Sequence, residues 1–428
     1  MNYNESLDYI HSLSRFGSKP GLDRIKILAA RLGNPQHRLK FIHIAGTNGK
    51  GSTAAFLASI LSCEGYSTGL YTSPFLVCFN ERIMLNGKKI SNEDLAEYAT
   101  RVKAVIDVMV GEGLEHPTEF EVITALSFLY FLENKCDVVV LETGMGGRFD
   151  ATNSIPSPVV SVITKIAMDH MGILGNTLSC IAYEKAGIIK KNGKVVTYPQ
   201  EESAYQTIAA VCKENDASLY IADINELTGI EVHKGGLGFY HPLYGKIKTS
   251  VNGIHQVYNA AVAIKTIEVL KESGFNIKGQ AVLNGFSSAK WPGRFELLRE
   301  NPDFYIDAAH NPDGIRSFID TFREVYPGKK ATVIFGVMKD KDYETMLREI
   351  SVITNRFIAV TPETPRALSA KSLYEIMRKY CENVECSDTI IEAVEKTIYR
   401  ANKNDVIVAL GSLFYIGHVR NILKNGKN

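Results

Sequence analysis

A glycine-rich loop, Gly46, Thr47, Asn48, Gly49, Lys50, Gly51, Ser52 and Thr53, lies between the apolar run "FIHIA" from Phe41 and the helix-forming stretch "STAAFLASILSCE". Asn-Gly is a hairpin signal, but a hairpin needs a second strand after its turn. The pattern here is instead that of a helix, opening on a Ser/Thr cap and ending at Gly65. Strand, glycine loop and helix aim free backbone N–H groups and the positive end of a helix dipole at one point, which suits a phosphate. Glycines let the main chain approach it, Lys50 would reach the outer phosphates, and Ser52 or Thr53 would hold an oxygen or Mg²⁺. The spelling departs from the common phosphate loop, since only Thr47 and Asn48 separate the first two glycines and Gly51 separates Lys50 from Ser52. Downstream, Glu142 ends the apolar run "DVVVLE", where an open α/β sheet presents ligand groups. Its carboxylate is a hard oxygen donor of the kind Mg²⁺ needs at the β and γ phosphates.

These groups need a scaffold, and the chain spells one. Apolar runs rich in β-branched residues, "FIHIAG", "STGLYTS", "DVVVLETG", "PVVSVITKIAMDH" and "GKVVTY", alternate with helical patterns. The alternation predicts an α/β fold with a mostly parallel, P-loop ATPase-like sheet in the N-terminal domain. Between about 221 and 250 the period changes to two, with glycine turns, which predicts a small antiparallel subsheet. After the interruption by Pro292, Gly293 and Pro302, a second series begins with "FYIDAAHNPDG". The expected domains are therefore 1–297, binding nucleotide, and a smaller C-terminal Rossmann-like α/β domain, 298–428.

Composition narrows the partners. Lys and Arg number 48 against 47 Asp and Glu, so no global field favours nucleic acid or an anionic membrane. The N-terminus lacks a signal-like apolar core, and no apolar run of membrane-spanning length occurs. Seven cysteines, an odd number without a CxxC pair, fit buried free thiols in a reducing cytoplasm. "GMGG" before Arg148 lacks the full dinucleotide-binding spacing, and Cys381 with Cys386 is too isolated for zinc.

The unusual loop spelling is itself informative: "GTNGKGS" resembles the phosphate loop of the Mur ligase superfamily, and more narrowly that of folylpolyglutamate synthases. The resemblance runs in order through nearly the whole chain: "LGNPQ", "YTSPF" at Tyr71, "FNERI" at Phe79, "TEFEVITALSF" at Thr118, "LETGMGGRFDATN" at Leu141, "AMDH" at Ala167, "EKAGIIK" at Glu184, "GIHQVYNA" at Gly253, "WPGRFE" at Trp291, "DAAHNPDG" at Asp307 and "GSLFYIG" at Gly411. It implies two Mg²⁺ ions, with Glu142 and the Ser73 hydroxyl at the first and His170 beside the second. From the residues alone His170 would be a capping or core histidine, imidazole being a poor Mg²⁺ ligand. Lys185, by composition an ordinary helical lysine, corresponds to one that the family carbamylates into an anionic oxygen ligand. That modification needs a neutral amine, hence burial or neighbouring cations. The resemblance further gives Asn259 the adenine edge, Arg294 the phosphates, Asp307 the nucleotide and His310 the incoming amino acid. It places the folate near residues 74–86, where Arg82 either contacts substrate or pairs with Glu81 or another acid.

The implied chemistry is ATP-dependent amide formation in which L-glutamate is added to a reduced folate, in a cytoplasmic monomer. A bifunctional enzyme that also uses dihydropteroate shares every one of these motifs. A cell-wall Mur ligase fits less well, because the loop begins only about 45 residues into the chain, short of an ordinary additional domain. A P-loop kinase or ATP-binding regulator is the reading from another class; it would turn over without an amine.

Overall fold

The structure, a computed structural model, describes residues 1–17 and 21–425. Two compact units divide the chain: Met1–Glu226 with Tyr258–Ser288, and Leu227–Val257 with Ala289–Asn428.

In the first unit the described residues form an eight-stranded sheet from β1 (Phe41–Ala45), β2 (Thr68–Tyr71), β3 (Ile83–Leu85), β4 (Lys88–Lys89), β5 (Val138–Glu142), β6 (Val160–Ile163), β7 (Lys194–Thr197) and β8 (Ser218–Ile221). Their order is β4-β3-β2-β5-β1-β6-β7-β8, with β1 between β5 and β6 and parallel to both. Only β3 and β4 run antiparallel to their neighbours. Strands β1, β2, β5 and β6 are buried throughout, as the unbroken apolar runs require when helices cover both faces of a parallel sheet.

One covering helix, Glu119–Glu133, starts in a capping box, with Thr118 accepting from the Glu121 N–H and the Glu121 carboxylate accepting from the Thr118 N–H. It packs Phe128 edge-on to Phe41 at 5.6 Å, joining a core that includes Leu141 and Phe131. On the same face, toward the β7–β8 edge, a second cluster buries Ile163, Ile181, Val195 and Ile208. Each such aliphatic or aromatic side chain contributes roughly 1.5–3 kcal/mol on burial.

The second unit contains the antiparallel sheet β9 (Thr228–His233), β10 (Gly236–His241) and β11 (Gly245–Thr249). Asn252 Nδ2 closes this segment on itself by donating to the carbonyls of His233 and Lys234, and two contacts explain its grouping with later residues: Lys234 pairs with Asp303, and the Ile254 N–H donates to Thr321 Oγ1. The larger sheet of this unit has the order β12-β13-β17-β14-β15-β16, built from β12 (Glu296–Arg299), β13 (Asp303–Ile306), β14 (Ala331–Phe335), β15 (Thr354–Ala359), β16 (Val384–Cys386) and β17 (Val406–Leu410). All its pairings are parallel except β12 with β13. The run "FYI" is thus the second strand of its series; β12 escapes a reading of the sequence because Gly293 and Pro302 break the pattern on both sides of it.

The cysteines are free, but burial holds only in part, since Cys63, Cys180 and Cys386 are exposed while Cys212 is buried. No helix among the described residues is long and apolar enough to cross a membrane.

Candidate active site

The phosphate loop leaves the carboxyl end of β1. Gly46 has φ +155°, and a Cβ there would lie 1.8 Å from Thr164 Oγ1, so no side chain fits. Gly49 has φ +91°, and its Cβ would lie 2.2 Å from Asn259 Oδ1. Helix Lys50–Glu64 begins immediately after it and ends at Gly65. The expected Ser/Thr cap is corrected here: left-handed Gly49 is the cap, and Ser52 and Thr53 lie buried in the first turn beside buried Gly51. Their hydroxyls are thereby released from capping, and Thr53 Oγ1 has no protein partner. The other side of the loop is anchored. The N–H groups of Thr47 and Asn48 donate to Lys165 O at 2.8 and 3.2 Å, and Thr47 Oγ1 bonds both backbone groups of Ala167.

Lys50 folds back over the loop, donating to Gly46 O at 3.1 Å and lying 3.9 Å from Glu142 Oε1. Glu142, the last residue of β5, is buried, and its Oε2 is 3.4 Å from the Ser73 N–H at the end of β2. The Glu142 carboxylate is a hard-oxygen donor of the kind that suits Mg²⁺ at a triphosphate.

Lys185 arrives from the last turn of helix Leu178–Ala186 and is buried, donating from Nζ to Gly46 O at 2.7 Å. Burial, and then the nearby Lys50 charge, push its pKa down to about 7, while Asp169 and Asp150 oppose that shift. About half of such an amine is neutral near pH 7. His170 is in the left-handed region at φ +51° and heads the short helix Met171–Leu174. Its ring is partly exposed, 4.0 Å from the more deeply placed Asp169 carboxylate. Asn259, within helix His255–Glu272, is buried against Gly49 of the loop.

Arg82 stands on the turn before β3, its guanidinium 5.5 and 5.4 Å from the rings of Phe75 and Phe79. Its Nε is buried without a hydrogen-bond partner. The pairing with Glu81 does not form: Glu81 bonds Lys89 at 2.9 Å and the N–H groups of Leu76 and Val77. Burial raises the pKa of Glu119, and the Arg82 charge opposes this.

In the second unit, buried Asp307 follows β13 and accepts from the N–H groups of Phe295 and Ala309, each at 2.7 Å. Burial raises its pKa and the Arg294 cation draws it back. Arg294 Nη1 donates to Gly293 O, and His310 Nδ1 lies 2.8 Å from Ala308 O.

Comparison with known proteins fits this arrangement. The Mur ligase middle domain matches residues 44–267 and the Mur ligase glutamate ligase domain matches 293–413. The chain belongs to the folylpolyglutamate synthase branch of the Mur ligases. It is 39% identical to the dihydrofolate synthase/folylpolyglutamate synthase of Bacillus subtilis, covering 99% of both chains. It is 37% identical to the folylpolyglutamate synthase of Lacticaseibacillus casei over the full length of both. Among solved structures, folylpolyglutamate synthase of Mycobacterium tuberculosis complexed with ADP and AMPPCP superposes with a TM-score of 0.90 at 30% identity, covering 99% of each chain.

Two acids whose charges act on Lys185 escaped the sequence reading. Asp169 adjoins His170 in "AMDH", where the histidine drew the attention. Asp150 ends "GGRFD", a stretch read as part of a family motif and as an incomplete dinucleotide pattern, with no role given to the aspartate.

Proposed function

We propose that this ATP-dependent ligase adds L-glutamate to the glutamate side chain of reduced folates through an acyl phosphate. The observation that carries this reading is the convergence of Lys50, Lys185 and Glu142 on a phosphate loop whose glycines admit no side chain. A carboxylate oxygen of the folate attacks the γ phosphorus and ADP departs. The free amine of glutamate then attacks the acyl carbon, loses a proton, and phosphate leaves from the tetrahedral intermediate. A carboxylate resists amines because its carbonyl is not electrophilic, and phosphorylation removes that obstacle. Lys50 and Arg294 neutralise charge on the phosphates, and positioning does the remainder.

Glu142 with Ser73, and His170 with Lys185 carbamylated, would hold two Mg²⁺ ions, which supply charge neutralisation at the triphosphate when bound. The depressed pKa of Lys185 supports the carbamate: its neutral nitrogen bonds the carbon of CO₂ and releases a proton, leaving an anionic oxygen donor. Asn259 serves the adenine, Asp307 the nucleotide, His310 the incoming glutamate, and Arg82 beside Phe75 and Phe79 the folate. A cytoplasmic location and a monomeric state belong to the same reading.

The double name of the Bacillus subtilis relative favours a second activity, in which dihydropteroate is the acceptor. One assay separates the readings: ADP release with tetrahydrofolate or dihydropteroate, with and without L-glutamate. Glutamate-dependent release is expected with tetrahydrofolate. Release indifferent to glutamate would leave a kinase or regulator as the better description.

A further inference from the structure

A buried hydrogen-bonded chain runs behind the loop that follows Glu142 and contacts the Lys185 helix, and none of the roles above uses it. His43, in the middle of β1, is fully buried and stands beside Leu141 across the parallel pairing with β5. Burial, assisted by the Lys190 charge, lowers its pKa to about 3, so the ring is neutral. His43 Nε2 lies 2.8 Å from Thr152 Oγ1, and Thr152 Oγ1 lies 2.6 Å from Asp150 Oδ1. A carboxylate oxygen accepts, so the Thr152 hydroxyl donates to Asp150 and itself accepts from His43 Nε2–H. That assignment leaves His43 Nδ1 as an unprotonated lone pair, in keeping with its lack of a partner.

Asp150 distributes this fixed orientation. Its Oδ1 also accepts the Thr152 N–H at 3.0 Å, while Oδ2 accepts the N–H groups of Gly144 and Met145, both at 2.9 Å. Those two residues follow Glu142 by two and three positions. The same loop grips the lysine helix: the Arg148 N–H donates to Glu184 O at 2.8 Å, and a Cβ on Gly147 would lie 2.8 Å from Lys185 O.

We propose that His43 and Thr152 are positioning residues for magnesium–nucleotide binding: through Asp150 they hold the 143–148 loop, and with it the placement of Glu142 and Lys185 around the phosphate loop. The inference rests on the nucleotide and metal reading given above. Residues that orient ligands from behind are worth about ten- to a hundred-fold in metal affinity when removed.

The test is equilibrium binding of AMPPCP by calorimetry, with and without Mg²⁺, on the full chain and four variants. Thr152→Val removes the hydroxyl at nearly constant shape and should lose about ten-fold or more of the magnesium-dependent gain, with metal-free affinity unchanged. Thr152→Ser keeps the hydroxyl and should retain the gain. His43→Gln, with a terminal N–H, should likewise retain it, and His43→Leu should lose it. The histidine pair decides the matter should Thr152→Val fail to fold. A parent that shows the gain, together with Thr152→Val and His43→Leu variants that share it, overturns the relay alone. A parent without any magnesium-dependent gain overturns the nucleotide and metal reading, and the relay with it.

Discussion

Replacing Gly49 by alanine tests whether the phosphate loop is shaped by steric exclusion. Two penalties add. A left-handed backbone at φ +91° costs an L residue about 1–2 kcal/mol. The new methyl would also stand 2.2 Å from Asn259 Oδ1, well inside van der Waals contact, and Asn259 is buried. Forcing that amide off its rotamer costs about 0.5–1.5 kcal/mol. The total is roughly 1.5–3.5 kcal/mol of destabilisation. Urea unfolding reads it as a lowered midpoint at constant slope. The double variant Gly49→Ala, Asn259→Ala removes the clash but keeps the backbone strain, so the cycle should show a favourable coupling of about 0.5–1.5 kcal/mol. A Gly49→Ala protein as stable as the parent, or strictly additive effects of the two changes, would refute the steric argument.

Other outcomes follow from the same geometry. Lys50→Ala should lose turnover by about a hundred-fold or more while keeping the parent's circular dichroism, because Lys50 bonds only loop carbonyls and approaches Glu142. In CO₂-free buffer, where Lys185 stays a free amine, it binds its proton more weakly when folded, with a pKa of about 7 against 10.5, so between those values the unfolded chain holds more protons and stability rises with pH. Parent and Lys185→Met should therefore diverge in the parent's favour as pH climbs through that window; a constant difference counts against the buried amine. Asp307→Asn turns an amide N–H toward a backbone N–H that a carboxylate oxygen now accepts, and should destabilise by about 1–3 kcal/mol in chemical denaturation.

The strand–glycine loop–helix geometry was legible because glycine and lysine spell a backbone shape within a few residues. The parallel sheet was equally legible from β-branched runs in β1, β5 and β6. What sequence hid is chemistry that exists only across strands. Nothing in "EKAGIIK" shows Lys185 reaching Gly46 O from 139 positions away. His43 looks like one polar residue in an apolar strand until Thr152, 109 positions on, comes within hydrogen-bond reach. The cap of helix Lys50–Glu64 was misplaced for a local reason: Ser52 and Thr53 are good caps by type, but Gly49 adopts the backbone conformation that ends the loop first.

The strand order carries a kinetic consequence. Because β1 is flanked by β5 and β6, and Asn259, which packs against Gly49, comes from a still later helix, the surroundings of the glycine loop draw on chain segments spread over more than two hundred positions. A nascent polypeptide emerging from the ribosome therefore exposes its Gly46–Thr53 segment long before the partners exist, and parallel closures of this kind are slow. Truncations ending before residue 259 are then expected to bear the signature motif and yet be inert toward nucleotide.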